Sequence, residues 1–182
     1  NREEAISDYE KAIELVPLAS DAYLNRGIAY ERLKKWSEAI ADYNQVIELD
    51  PKDPVAYNNR GNAEGGLGKW EKATEDYKKA SELAPEYAFA LANYSLALYQ
   101  IGQTQKAVQT MKSLVRKYPN FADMRAALTA CLWEQDKKGE AESNWVAAVG
   151  LDPRYQDLDW VTNVRRWPPK LINSLEKFIK IE

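Results

Sequence analysis

The chain has 182 residues, 45% of them hydrophobic and 29% charged, which is enough apolar mass for one well-buried domain and, at a mean hydropathy of -0.60, argues for solubility. Its formal charge of -3 comes from signs interspersed along the chain, so no basic stripe exists to neutralise phosphates and nucleic acid is not an expected partner. One cysteine, Cys131, and no histidine exclude an internal disulfide, a zinc site and any Ser/His/Asp or Cys/His catalytic arrangement.

A fixed period organises the sequence. Pro17, Pro51, Pro85, Pro119 and Pro153 recur at a step of 34 with no insertion or deletion, and a constant period sets the architecture before any local propensity does. Ala5, Ala39, Ala73, Ala107 and Ala141 keep the same step, each followed four residues later by a large side chain, Tyr9, Tyr43, Tyr77, Met111 and Trp145. A four-residue offset is one helical turn. Residues 1–19 form half a unit, with a helix over 3–16 whose apolar positions Ala5, Tyr9 and Ala12 lack a helix to pair with. The expectation is a fragment of a longer protein, whose targeting signals are then not legible; the alternative is a natural cap. Residues 20–53 form the first full unit, with helices at about 20–33 and 37–50 and Lys34 and Lys35 at the turn. Units 54–87, 88–121 and 122–155 follow, the first two turning at Gly68 and Gly102. The ELDP, ELAP, KYPN and GLDP segments end each second helix, because proline pushes the residue before it out of helical geometry. Gly27, Gly61, Ser95 and Thr129 share the slot where the two helices of a unit cross, and small side chains permit close approach.

A 34-residue, two-helix unit with these small, aromatic, alanine and proline slots resembles the tetratricopeptide repeat family over residues 1–155. The resemblance implies an all-α fold, a right-handed superhelical solenoid whose first helices line a concave groove, and a non-enzymatic protein-interaction scaffold that holds a protein or peptide partner there. A hairpin cannot bury its apolar face alone and needs neighbours on both sides, which agrees.

No catalytic, cofactor-binding or metal-binding residue emerges. Cys131 reads as a small core residue, carboxylate pairs such as Glu3 with Glu4 or Asp157 with Asp159 as solvated charge, and the glycines of GNAEGGLG lack the lysine ending of a phosphate loop. The groove has candidates. Asn25, Asn59 and Asn93 recur at the 34-residue step, and Asn58 and Asn62 add to the middle one. An amide both donates and accepts, so such a row can bond an extended peptide backbone without reading its side chains. The row resembles the asparagine ladder of the tetratricopeptide domain in O-linked N-acetylglucosamine transferase, although the fourth unit puts Ala127 there; the alternative is that asparagine is merely tolerated on this face. Positions that resemble a chaperone carboxylate clamp hold Leu24, Ile28, Asn59, Phe89 and Asn93, so only the central asparagine matches. Phe89, Leu96, Tyr99 and Trp133 bring apolar surface to the later groove and suit hydrophobic anchors of a partner, the alternative being packing between units. Glu64 replaces an apolar residue and is expected to pair with Arg60, the alternative being a hollow in the groove floor with a negative charge at its base, while Gly65 and Gly66 should each weaken their helix by about 1 kcal/mol.

After Pro153 the repeat ends. Leu171, Ile172, Leu175, Phe178 and Ile179 have amphipathic helical spacing behind a rigid RRWPP turn, so 156–182 is read as a helical cap over the fourth unit, with a membrane-surface or dimer contact as the alternative. No segment spans a membrane. The DLDWVTNVRRWPP stretch with NRGIAY-type units also resembles tetratricopeptide proteins that assist photosynthetic-complex assembly in cyanobacteria and chloroplasts, which implies a stromal or thylakoid-associated setting, and otherwise a cytoplasmic one. A second functional reading is a self-association module, a homo-oligomer joined through the unpaired first helix and the tail.

Overall fold

Each proline-to-proline step becomes an antiparallel pair of helices. The computed structural model describes residues 2–180, and every regular element among them is helical, placing the chain in the all-α class. Helix α1 covers Arg2–Leu15. Then come α2 (Ser20–Arg32) and α3 (Trp36–Leu49), α4 (Pro54–Gly66) and α5 (Trp70–Leu83), α6 (Ala88–Gln100) and α7 (Thr104–Lys117), and α8 (Ala122–Trp133) and α9 (Lys138–Leu151). The helices expected at about 20–33 and 37–50 lie within one residue of α2 and α3. The chain divides into two compact units, Asn1–Leu91 and Ala92–Glu182, the division falling inside α6.

Local chemistry explains the helix ends. Asp53 caps α4 by accepting from the backbone N–H groups of Val55 at 2.7 Å and Ala56 at 3.3 Å, with Pro54 in the first turn where no N–H is needed. Lys34, Gly68, Gly102 and Asp136, again 34 apart, all adopt positive φ between 55° and 90°: 59°, 74°, 87° and 57°. This left-handed step reverses the chain between the helices of a unit and favours glycine.

In the first unit, Ala39, Tyr43 and Ala63 form a buried cluster with Leu24, Ile28, Tyr30, Trp36 and Ile40 packed around it. Gly27 lies over the Tyr43 ring so closely that a Cβ would fall 2.6 Å from Cε1, and Gly61 repeats this over Tyr77 at 2.8 Å. The glycines are the cradle in which the ring sits. The two hairpins α2–α3 and α4–α5 are each also pinned by a two-pronged ion pair. Arg26 donates from Nε and Nη2 to Asp42 at 2.9 and 2.7 Å, and Arg60 does the same to Asp76 at 2.8 and 2.6 Å while its Nη1 reaches Asn44 at 2.8 Å.

In the second unit α8 is central: of the ten residues from Asp123 to Leu132, only Arg125 is not buried. After α9 come a 3-10 turn at Pro153–Gln156, the short α10 (Leu158–Trp160), a π-helical turn at Val161–Arg165, and α11 (Pro169–Ile179). Helix α11 packs on α8 and buries Leu171, Ser174, Leu175 and Phe178, the i, i+3, i+4, i+7 pattern of one helix face.

Candidate functional site

Of the eight candidate groove residues, Asn25, Asn58, Asn59, Asn62 and Phe89 lie in the first unit, and Asn93, Tyr99 and Trp133 in the second. Asn25 on α2 is exposed. Asn59 on α4 is half-buried, and its Oδ1 accepts from Nδ2 of the buried Asn58 at 3.4 Å. Asn62 accepts the Tyr77 hydroxyl at 2.9 Å, which fixes its oxygen inward and leaves its NH2 as a donor. Phe89, at the start of α6, is 57% exposed. The first unit therefore presents amides with hydrogen-bonding capacity to spare.

The second unit does not. Tyr99 is 3% exposed, and its hydroxyl lies 2.9 Å from that of Ser174 on α11. Trp133 meets Phe178 of α11 edge-on, with ring centroids 5.2 Å apart. Tyr99 and Trp133, expected to anchor a partner, both contact the chain's own last helix, which leaves Tyr99 buried and Trp133 half-buried. The reason lies in residues that the groove reading passed over. Ala126, Ala127 and Ala130 stand at the steps of Asn58, Asn59 and Asn62, and all three are fully buried. Alanines flatten that face of α8 and let another helix approach it closely. Leu96, the fourth apolar groove candidate, is 4% exposed. Asn93 is half-buried.

The tail is also held by a polar node absent from the sequence reading. The buried carboxylate of Asp123 accepts Arg165 through Nε at 2.9 Å and through Nη2, the Tyr155 hydroxyl at 2.7 Å and the Trp167 indole N–H at 3.0 Å. Burial, and then the Asp123 charge, push the Tyr155 phenol well above the usual tyrosine range. Burial works against the Arg165 guanidinium, but the charge and hydrogen bonds of Asp123 outweigh it and keep the arginine firmly protonated. The node spans 42 residues of sequence between Asp123 and Arg165 and occurs once, so no periodic signal announced it.

Glu64 pairs differently from expectation. Arg60 is already held by Asp76 and Asn44, and Glu64 instead lies 3.6 Å from Nζ of Lys69. Gly65 and Gly66 have a packing role, because Cβ atoms there would fall 2.9 Å from the Trp70 ring and 2.6 Å from the Trp36 ring. Cys131 is fully buried with its thiol 3.9 Å from the Met111 sulfur, and burial pushes its pKa far up, the behaviour of a core residue rather than a nucleophile. Among the described residues no helix is long and apolar enough to cross a membrane.

The tetratricopeptide repeat family matches at residues 20–53 and 54–87, and a second form of the same repeat matches at 90–120. No curated protein matches the chain by sequence. Among solved structures, MamA superposes with a TM-score of 0.76 at 20% identity, covering 84% of this chain and 90% of its own. YrrB, described as a TPR protein with an unusual peptide-binding site, gives 0.70 at 22% identity over 96% and 92%. The first TPR of Spaghetti, solved bound to the HSP90 peptide SRMEEVD, gives 0.54 at 33% identity over 55% of this chain and 79% of that one. With a repeat family matched over more than half its length and the hairpin geometry to go with it, the chain belongs to the tetratricopeptide repeat family.

Proposed function

We propose that the chain is a non-enzymatic interaction scaffold whose first unit binds an extended segment of a partner protein through the amides of α2 and α4. The observation that carries this reading is the state of Asn25 and Asn59. Asn25 is exposed, with no hydrogen-bond partner found among the described residues, while Asn59 engages only its oxygen. Amides in that state suit the alternating C=O and N–H groups of a strand-like ligand. Asn62, held by Tyr77, adds a donor, and exposed Phe89 adds an apolar contact. Peptide binding by Spaghetti and YrrB supports a peptide as the class of ligand. An acidic peptide like the SRMEEVD of Spaghetti is not the expected ligand, since Leu24, Ile28 and Phe89 stand where the basic clamp residues would be. The photosynthetic-assembly role and chloroplast setting implied by the tail draw no support from these relatives and form no part of the proposal.

The experiment is a display selection of random peptides on the intact chain, followed by titration of the selected peptide. Each ligand hydrogen bond contributes about 0.5 to 1.5 kcal/mol net, so Asn25→Ala with Asn59→Ala should weaken binding roughly 5- to 150-fold. N-methylation of the peptide backbone should weaken it comparably, while the fold stays intact. Equal affinity for wild type and the double variant would remove the amides from the site.

A further inference from the structure

The mixing of charge along the chain has one exception. Residues 88–121 contain none of the 28 acidic residues but four bases, Lys106, Lys112, Arg116 and Lys117, all on α7. That repeat therefore carries a formal charge of +4, and with a total of -3 the rest of the chain carries -7. The reversal is specific to repeat slots. Arg116 stands at the step of Glu48 and Glu82, and Gln105 and Gln109 stand at the steps of Glu71 and Glu75.

The same residues line a cleft of about 520 Å³ in the second unit. Lys112, Arg116 and Lys137 bring charge to it, Gln105, Gln109 and Gln135 bring amides, and no acid lines it. Gln135 and Lys137 come from the turn between α8 and α9. The acids beside that turn are already engaged: Glu140 with Lys112, Asp136 with Lys138 at 3.7 Å, and Glu134 with Lys177 at 2.9 Å. Arg116 and Lys137 are exposed and form no ion pair among the described residues.

We propose that this cleft binds an extended acidic segment of a partner polypeptide, with carboxylates on Arg116 and Lys137 and backbone groups on the three amides. An arginine can offer a carboxylate two parallel N–H bonds, and an amide can answer both C=O and N–H. From Gln105 to Arg116 a helix rises about 17 Å, the span of about five residues of extended chain. A short segment held there feels mainly the charges within about 10 Å at 0.1 M salt. A nucleic acid would reach beyond the cleft into the field of the negative remainder, which disfavours it. The surface is separate from the amides of α2 and α4, and its recognition is electrostatic.

The test is calorimetric titration of the intact chain with hexaglutamate capped at both ends. Hexaglutamate should bind, hexaglutamine should not, and the affinity should fall as salt is raised. Arg116→Glu with Lys137→Glu should weaken binding about tenfold, the size expected when two exposed charge pairs are lost. The milder pair Arg116→Gln with Lys137→Gln should give an intermediate loss, and circular dichroism checks that the helices persist in each variant. Lys72→Glu with Lys79→Glu, which alters net charge equally at two exposed lysines of α5, should leave affinity unchanged. The proposal is overturned if hexaglutamate fails to bind at millimolar concentration, or if the α5 variant loses as much affinity, since net charge alone would then hold the peptide. It is equally overturned if a six-nucleotide thymidine oligomer binds more tightly than hexaglutamate and is lost with Arg116 and Lys137, because the cleft would then belong to nucleic acid.

Discussion

The hydroxyls of Tyr99 and Ser174 lie 2.9 Å apart in the second unit, joining α6 to α11 across 75 residues of sequence. Beside them the backbone N–H of Lys170 donates to Oε1 of Gln100 at 2.9 Å. A surface expected from the repeat pattern to face a partner thus meets the chain's own tail, polar groups included.

Leu175→Asp tests how firmly that tail is held. Leu171, Leu175 and Phe178 are buried, each contributing on the order of 2 kcal/mol, and an unpaired carboxylate cannot remain among them. The variant is expected to release α11 and loosen the packing of α8, whose Cys131 is fully buried beside Met111. Labelling of Cys131 under native conditions should change from undetectable within hours to rapid; unchanged protection would mean that α11 does not guard α8.

Asp123→Asn addresses the node. It leaves the half-buried Arg165 without its counter-charge, a loss of about 3 kcal/mol by analogy with broken buried pairs. Arg165→Met alone should cost less, since Asp123 keeps Tyr155 and Trp167 as donors. Urea unfolding of the two variants checks the order, and the reverse order would deny Arg165 its dependence on Asp123.

Alkaline pH should act through the same node. The Tyr155 pKa is raised in the folded chain, so between the ordinary tyrosine value near 10 and the folded value the native state holds the proton that the unfolded state has lost. The stabilisation is complete below about pH 10 and declines as pH rises further. Tyr30, Tyr87 and Tyr99, each raised chiefly by burial, add to the decline. Melting temperatures from pH 8 to 11.5 should fall less steeply for Tyr155→Phe than for wild type, and parallel curves would contradict the assignment.

Two helical glycines should respond oppositely to alanine. A Cβ at Gly27 meets the fully buried Tyr43 ring at 2.6 Å, so Gly27→Ala should cost about 1 to 3 kcal/mol despite the better helix propensity. At Gly150 in α9 no atom lies within 4 Å of the added carbon, so Gly150→Ala should add about 0.5 to 1 kcal/mol of stability. Thermal melts of the pair decide; a neutral Gly27→Ala would show that the ring is free to move.

What was legible in the sequence was whatever repeats. The step of 34 located helices and turns because each slot answers to a local cause: a proline that cannot continue a helix, a glycine under a ring, an alanine at a crossing. The Arg26–Asp42 pair was equally legible, since Arg60–Asp76 copies its spacing of 16 residues, yet it was found only in the structure. Contacts made once were hidden. Nothing periodic links Asp123 to Arg165 or Tyr99 to Ser174, and Glu64 could not be assigned to Lys69 until Arg60 was seen to be taken. One signal for the covered face did exist. Ala126, Ala127 and Ala130 follow Asn58, Asn59 and Asn62 at equivalent steps, and such a change from amides to alanines on one face is what a helix that will be covered requires.

The aromatic residues gathered around the tail make the second unit an optical instrument. Four of the six tryptophans, Trp133, Trp145, Trp160 and Trp167, lie there. The first two meet Phe178 at 5.2 and 5.4 Å, and the other two flank Tyr155 at 5.2 and 5.8 Å. Intrinsic emission from this molecule is therefore weighted toward the seating of its last thirty or so residues, whereas far-ultraviolet circular dichroism counts every helix alike. Curves from the two signals need not coincide, and a gap between them would measure detachment of the tail while the repeats are still folded.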